Sequence, residues 1–332
     1  MSERWHLSRL SATGAIMGPT WGVIVALAYG VGGEVFFKQN NFSDALMGTL
    51  SLSFLLLFPV GMGALTVAFS PLKWRMSWLY AIFAPWGVCT LLGIAVMLLA
   101  MEAAICVAMG LPIFFVCSSI GGVLICWWNR RRVPRGDSNL LGMLLILPLL
   151  VSPLEAKWQP PTTVREIHAV VVVDAPAEVI WNSFVTVPKI QPEEEHFAWF
   201  RVAGLPHPVE ATLVNPGALG VRYASYDNGM QVVEPVQVWE LHERYRFGVR
   251  FDPTTGQHTP LWSDVATEHL QVQWVEYRIE PLSDRQARLH LTSRYTLETP
   301  INPYAALWVD FLLEDFQQYI LDIVTARAEQ AG

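Results

Sequence analysis

The sequence predicts a membrane α-helical bundle of four to five transmembrane helices, followed by an α+β domain. In that second domain a curved antiparallel sheet wraps one long C-terminal helix. Three observations carry this. Residues 1 to about 155 form a series of long apolar runs, and residues from 162 onward alternate apolar and polar side chains at strand period. The last stretch of the chain returns to helical period. The averages of 52% hydrophobic and 15% charged residues, with mean hydropathy +0.33, merge these two compositions. The expected units are therefore residues 1–158 and 162–332.

An uncharged apolar run of about 18 residues or more can cross the roughly 30 Å hydrocarbon core as a helix. Ala12–Gly33, Ala45–Phe69, Trp78–Ala100 and Ala104–Trp128 meet that standard. Leu140–Leu154 is shorter and carries Pro148 and Pro153, so it reads either as a crossing of a thin bilayer or as a re-entrant segment. Arg4 and Arg9, Lys73 and Arg75, and Arg130, Arg131, Arg132 and Arg135 fall on one side, which the positive-inside rule makes cytoplasmic. The N-terminus is then cytoplasmic. If the fifth run crosses, the C-terminal domain is extracytoplasmic, periplasmic in a bacterial inner membrane; if it does not, the domain is cytoplasmic.

Gly14, Gly18, Gly22, Ala26 and Gly30 recur at four-residue spacing along the first run. Small residues at that spacing admit a close helix neighbour, either within the chain or across a homo-oligomer seam. Glu34, Glu102 and Glu155 stand at run boundaries, as solvated interfacial residues or as a polar cluster. Cys89, Cys106, Cys117 and Cys126 all lie inside apolar runs without metal-ligand spacing, and read as small buried hydrophobes.

After a stiff Pro160-Pro161 linker, Arg165–Asp174 reads as a strand with Ile167, Ala169, Val171 and Val173 on one face. Ala177–Val187 reads as a short helix behind Pro176. Further strands are expected at Val209–Val214, Gly220–Tyr226, Gln231–Trp239, Tyr245–Phe251, His269–Glu280 and Arg288–Glu298, with Asp227-Asn228-Gly229 as a hairpin turn. Asn302 as N-cap and Pro303 at the first helical position open a helix reaching about Ala328. Its apolar stripe is Trp308, Leu312, Phe316, Tyr319 and Ile323, with Asp310, Glu314, Gln317 and Asp322 largely away from it.

Two stretches, Ile167–Ile190 (IHAVVVVDAPAEVIWNSFVTVPKI) and Asn215–Glu240 (NPGALGVRYASYDNGMQVVEPVQVWE), resemble the START-like or SRPBCC superfamily of helix-grip domains, which includes polyketide cyclase/dehydrase-like proteins. The resemblance covers about half the chain, and together with the preceding helices it looks like a group of bacterial membrane proteins. It implies a cavity for a hydrophobic ligand, lipid-like or isoprenoid-like, and it implies no particular reaction. Ligand contacts expected on that basis are Phe197, Trp199 and Phe200 as a lid, Tyr223, Phe247, Phe251 and Tyr295 from strands, and Trp308 and Leu312 from the helix. A filled aromatic core is the competing reading of the same residues.

Glu195, His196, Arg222 and Glu234 are the candidate polar groups. A cyclase- or hydrolase-like reaction would use Glu195 or His196 together with Arg222 inside the cavity. A solvated acidic turn at Gln191–His196 and a surface pair between Arg222 and Glu234 are the alternatives. A third reading is a solid, non-catalytic interaction module. The sequence calls for no metal and no cofactor, its net charge of −7 disfavours nucleic acid, and the expected partners are the bilayer and an apolar small molecule or lipid.

Overall fold

The computed structural model describes residues 21–36, 51–99, 104–131, 138–155, 158, 160–252, 255 and 269–332. They form two compact units, Met1–Pro160 and Pro161–Gly332.

The first unit is helical. Its elements are α1 (Trp21–Phe36), a π-helical turn Ser53–Leu57 running into α2 (Phe58–Ala68), α3 (Leu72–Arg75), α4 (Trp78–Leu98), α5 (Ala104–Arg131) and α6 (Ser138–Glu155). Among the described residues only α4 and α5 are long and apolar enough to cross a membrane. This corrects the expected four to five spans. The described parts of the first two runs begin only at Trp21 and Ser51, and the fifth is a short helix with prolines inside it.

Glycine lets these helices touch backbone to backbone. A Cβ on Gly63 would run into the Ser118 carbonyl oxygen, and one on Gly121 would run into that of Val60. The α2–α5 contact therefore tolerates no side chain at either position. The glycine ridge of α1 is spent in the same way. Gly22 abuts the Thr66 carbonyl, Gly30 abuts Leu92 and Met62, and Ala26 is fully buried. Gly22 thus packs within its own chain; Gly14 and Gly18 lie outside the described residues.

The ends of this unit are marked chemically. Arg130 donates two hydrogen bonds to the Met76 carbonyl and lies over the Trp78 ring, so the basic end of α5 meets the basic turn around Lys73 and Arg75. Helix α6 starts after that end and runs antiparallel to α2. Leu141 and Leu144 pack on the cluster containing Ala64 and Val67, and Glu155 receives the amide N–H groups of Leu52 and Ser53 and the Ser53 hydroxyl. Glu155 therefore serves the start of the second helix as an N-terminal acceptor. Glu34 is buried near the end of α1, and Glu102 lies outside the described residues.

The second unit is a helix-grip arrangement. Strands β1 (Thr162–Val173), β2 (Pro208–Val214), β3 (Val221–Tyr226), β4 (Gln231–Glu240), β5 (Arg244–Gly248), β6 (Arg250–Phe251), β7 (Leu270–Ser283) and β8 (Gln286–Glu298) form one antiparallel sheet. Its order is β1-β8-β7-β5-β4-β3-β2, with β6 beside β4. Two small helices, α7 (Ala177–Val185) and α8 (Trp199–Val202), interrupt it, and α9 (Asn302–Ala331) lies against it. Alternation sets the inner face: on β8, Ala287, Leu289, Leu291, Ser293, Tyr295 and Leu297 are buried, and the residues between them are half-buried. The turn after β3 holds Gly229 at φ 81°, and Tyr226 N–H donates to Met230 O, closing a three-residue hairpin loop.

Asn302 departs from its expected capping role. Its Oδ1 accepts from the Thr299 N–H and hydroxyl, while its Nδ2 donates to Pro161 O, Thr163 Oγ1 and Leu297 O. It fastens the start of α9 to the ends of β1 and β8.

Candidate functional site

The interior of the second unit is solid at one end. Trp181 and Phe184 of α7 pack with Tyr245, Tyr277, Leu289 and Leu321, and the Phe184 and Tyr277 rings stack 4.4 Å apart. Beyond that cluster the sheet and α9 separate around a cavity of about 220 Å³. A buried water needs only roughly 10–15 Å³, and small-molecule pockets run to roughly 300–1,000 Å³. The cavity lies between the two and suits a small apolar occupant.

Its walls come from named faces. Strands β3 to β8 supply Ala224, Val232, Phe247, Val275, Tyr277 and Leu291, and α9 supplies Leu312, Leu313, Phe316, Gln317, Ile320 and Ile323. Val249, Val275, Leu312, Phe316 and Ile320 point inward yet are only half-buried. Filled cores leave almost no such unburied apolar surface, because interiors pack as densely as organic crystals.

A buried charged pair interrupts this wall, which also carries the exposed Glu210. Arg222 and Glu234 are directly opposed across β3 and β4, and each is 6% exposed. Nη1 of Arg222 donates to a Glu234 carboxylate oxygen at 2.7 Å, and the guanidinium lies 5.2 Å from the centre of the Phe247 ring. Burial pushes the Glu234 carboxyl above the usual carboxylate range, against the pull of the Arg222 cation. Arginine does not shed its proton, so the ionised carboxylate is the form that leaves no stranded charge in the interior. Burial also raises the nearby phenols; Tyr277 is pushed up to about 12, and Tyr226 and Tyr245 move in the same direction, so all three stay neutral. A second polar pair crosses from α9 to β8, where Gln317 Nε2 donates to Ser293 Oγ at 2.8 Å.

The structure divides the residues expected from sequence. Phe247, Phe251, Leu312, Arg222 and Glu234 line the cavity. Phe200 is fully buried in the cluster under α8, and Tyr295 is fully buried and donates to Asp310, so both are core rather than lining. Tyr223 is 42% exposed, because alternation on β3 turns Arg222 and Ala224 inward and Tyr223 outward. Trp308 is half-buried on α9 outside the lining. Phe197 and Trp199 form no lid: they are 68% and 51% exposed, since α8 is a single turn whose one inward position is Phe200.

Glu195 and His196 also stay outside. Glu195 pairs with Arg201 at 3.1 Å; His196 lies 3.4 Å from Asp322, and its ring is tilted against that of Tyr319 with the centres 4.6 Å apart. The meeting of these groups with Arg222 that a catalytic reading needs is not formed. Glu194 makes the strong contact of this acidic turn, a two-pronged bond to Arg327 at 2.6 and 2.8 Å that holds its carboxyl below the usual range.

Sequence reasoning passed over His207 and set Gln317 on the polar side of the helix, away from the cavity. Buried His207 meets the Tyr319 hydroxyl at 2.5 Å. Burial, with the Arg201 cation, holds its imidazole below its ordinary value, so folding favours the neutral ring. That stabilisation is complete above the unfolded value of about 6.5 and is lost as pH falls through the lower folded value. The melting temperature is expected to fall between about pH 7.5 and about pH 5.5, and less steeply in His207→Phe; equal slopes in a pH series of melts would remove His207 from the account.

No protein-family model and no curated protein matches the chain. Solved structures do. The Zhui aromatase/cyclase from Streptomyces sp. R1128 is 14% identical, with 51% of this chain and 95% of that one covered and a TM-score of 0.34. A START superfamily protein from Mycobacterium smegmatis is 16% identical, over 50% of this chain and 99% of that one, with a TM-score of 0.34. Norcoclaurine synthase from Thalictrum flavum is 11% identical, over 52% and 98%, with a TM-score of 0.33. At these scores the helix-grip description rests on strand order, register and the position of α9.

Proposed function

We propose that this chain is a membrane-anchored binding protein whose C-terminal unit takes an apolar small molecule, lipid-like or isoprenoid-like, into the cavity between its sheet and α9. The observation that carries the reading is the set of inward-pointing apolar residues left half-buried around the cavity. Displacing water from such a wall is favourable by about 25 cal/mol per Å² of apolar surface. Binding, transfer or sensing of the ligand all use this one feature.

Anchoring is supported by the outside of the first unit. Leu79, Phe83, Leu98, Val116, Met143, Leu150 and Leu154 are between 52% and 82% exposed. Apolar surface of that extent suits lipid rather than water. The passage of α6 from the arginine-rich end to the Glu155–Ser53 end favours the reading in which it crosses; residue 161 onward is then extracytoplasmic by the positive-inside rule. Protease added to intact spheroplasts is then expected to remove the C-terminal unit; cleavage only after membrane rupture would reverse the orientation.

Photolabelling tests the ligand reading. The full chain in nanodiscs is irradiated with an alkyl diazirine, and the labelled peptides are mapped by mass spectrometry. Label on the β5–β6 and α9 peptides containing Phe247, Phe251 and Leu312 is the expected result. Label confined to α1–α6 would overturn the reading.

A further inference from the structure

We propose that the cavity selects ligands whose polar end is neutral and can both donate and accept a hydrogen bond, such as an alcohol or amide, over carboxylates and over bare hydrocarbons. This rests on the ligand-binding reading above.

The wall of the cavity carries two polar pairs, Arg222 with Glu234 on β3 and β4, and Ser293 with Gln317 between β8 and α9. One atom of each pair has unused capacity: Nε of Arg222, a donor, and Oε1 of Gln317, an acceptor, are buried without a hydrogen-bond partner. Buried polar groups in folded proteins are nearly always paired. An unmet donor and an unmet acceptor in the wall of one cavity point to an occupant supplying the complements of both. Arg222 and Gln317 both form part of the lining.

Charge excludes the alternatives. The Arg222 cation is already matched by Glu234 at 2.7 Å, so the pair carries no net positive charge for an anion. A carboxylate would add negative charge to a wall that already holds Glu234 and Glu210, and at Gln317 Oε1 it would meet acceptor with acceptor. A hydroxyl accepts and donates at once, and brings no charge. An alkane leaves both groups unmet.

The test is competition against diazirine labelling of the cavity peptides, using the full chain in nanodiscs with 1-octanol, octanoate and octane at neutral pH. Octanol is expected to compete at a concentration at least about tenfold lower than octanoate or octane, a difference of about 1.4 kcal/mol. Gln317→Leu is expected to weaken octanol about tenfold while leaving octane unchanged, and Glu234→Gln to narrow or invert the octanol-to-octanoate ratio. Comparing variants in the same lipid cancels partitioning into the bilayer. Preference for octanoate, or equal competition by all three in the wild type, overturns this proposal while leaving the binding cavity in place. Absence of competition by any of them overturns both. If Glu234→Gln does not fold, the wild-type ranking and Gln317→Leu still decide.

Discussion

Ala224→Phe is expected to weaken binding of an apolar probe at least about tenfold while leaving the domain folded and as stable as the wild type. Ala224 is 7% exposed, sits on the inward face of β3 between Arg222 and Tyr226, and lines the cavity. A phenyl ring added there points into the space the ligand needs. The effect on stability separates a hollow interior from a solid one. Extra carbons forced into a packed core cost about 1–3 kcal/mol, through off-rotamer side chains and backbone shifts. Carbons placed in a void instead bury apolar surface. Tyr223→Ala, at the adjacent outward-facing position, is the control and leaves binding unchanged. Loss of stability in Ala224→Phe with binding intact would mean that the ligand, if any, sits elsewhere.

The second large effect is expected at the buried ion pair. Glu234→Leu removes the partner of a guanidinium that stays charged, and breaking a buried pair from one side costs about 3–5 kcal/mol. The double variant Arg222→Met/Glu234→Leu removes both charges, and replacement of a whole buried pair by apolar residues is often neutral or stabilising. The single variant is thus expected to lose hydrogen-exchange protection across β3 and β4 in the full chain, and the double variant to recover most of it. Equal losses in the two would mean that packing rather than charge sets the cost. The comparison is a double-mutant cycle on residues in direct contact, where additivity is expected to fail.

Much of the second unit was legible in the sequence because its strands are amphipathic. Arg288–Glu298 alternates so regularly that the inward residues Leu289, Leu291, Ser293, Tyr295 and Leu297 could be named directly, and Asp227-Asn228-Gly229 marked its hairpin. The site was less legible, for three physical reasons. On β4, Val232, Val233, Val236 and Val238 occupy both parities, so the face of Glu234 emerges only once the register pairs it with Arg222. Gln317 was read as outward because it is polar, yet the cavity gives α9 a polar partner in Ser293. The aromatic run Phe197–Phe200 looked like a lid, and one turn of helix admits only Phe200 to the interior. In the first unit composition located the apolar runs, but helix ends and packing order depend on contacts such as Gly63 on Ser118 and Glu155 on Ser53, which no hydropathy pattern contains.

Native mass spectrometry of the full chain, released from its membrane in mild detergent, tests the central claim most directly. The account predicts a discrete small-molecule adduct on the wild type, bound one to one and absent from Ala224→Phe. A folded wild-type chain that carries no adduct from membrane extract, or one whose adduct persists undiminished in Ala224→Phe, would contradict it.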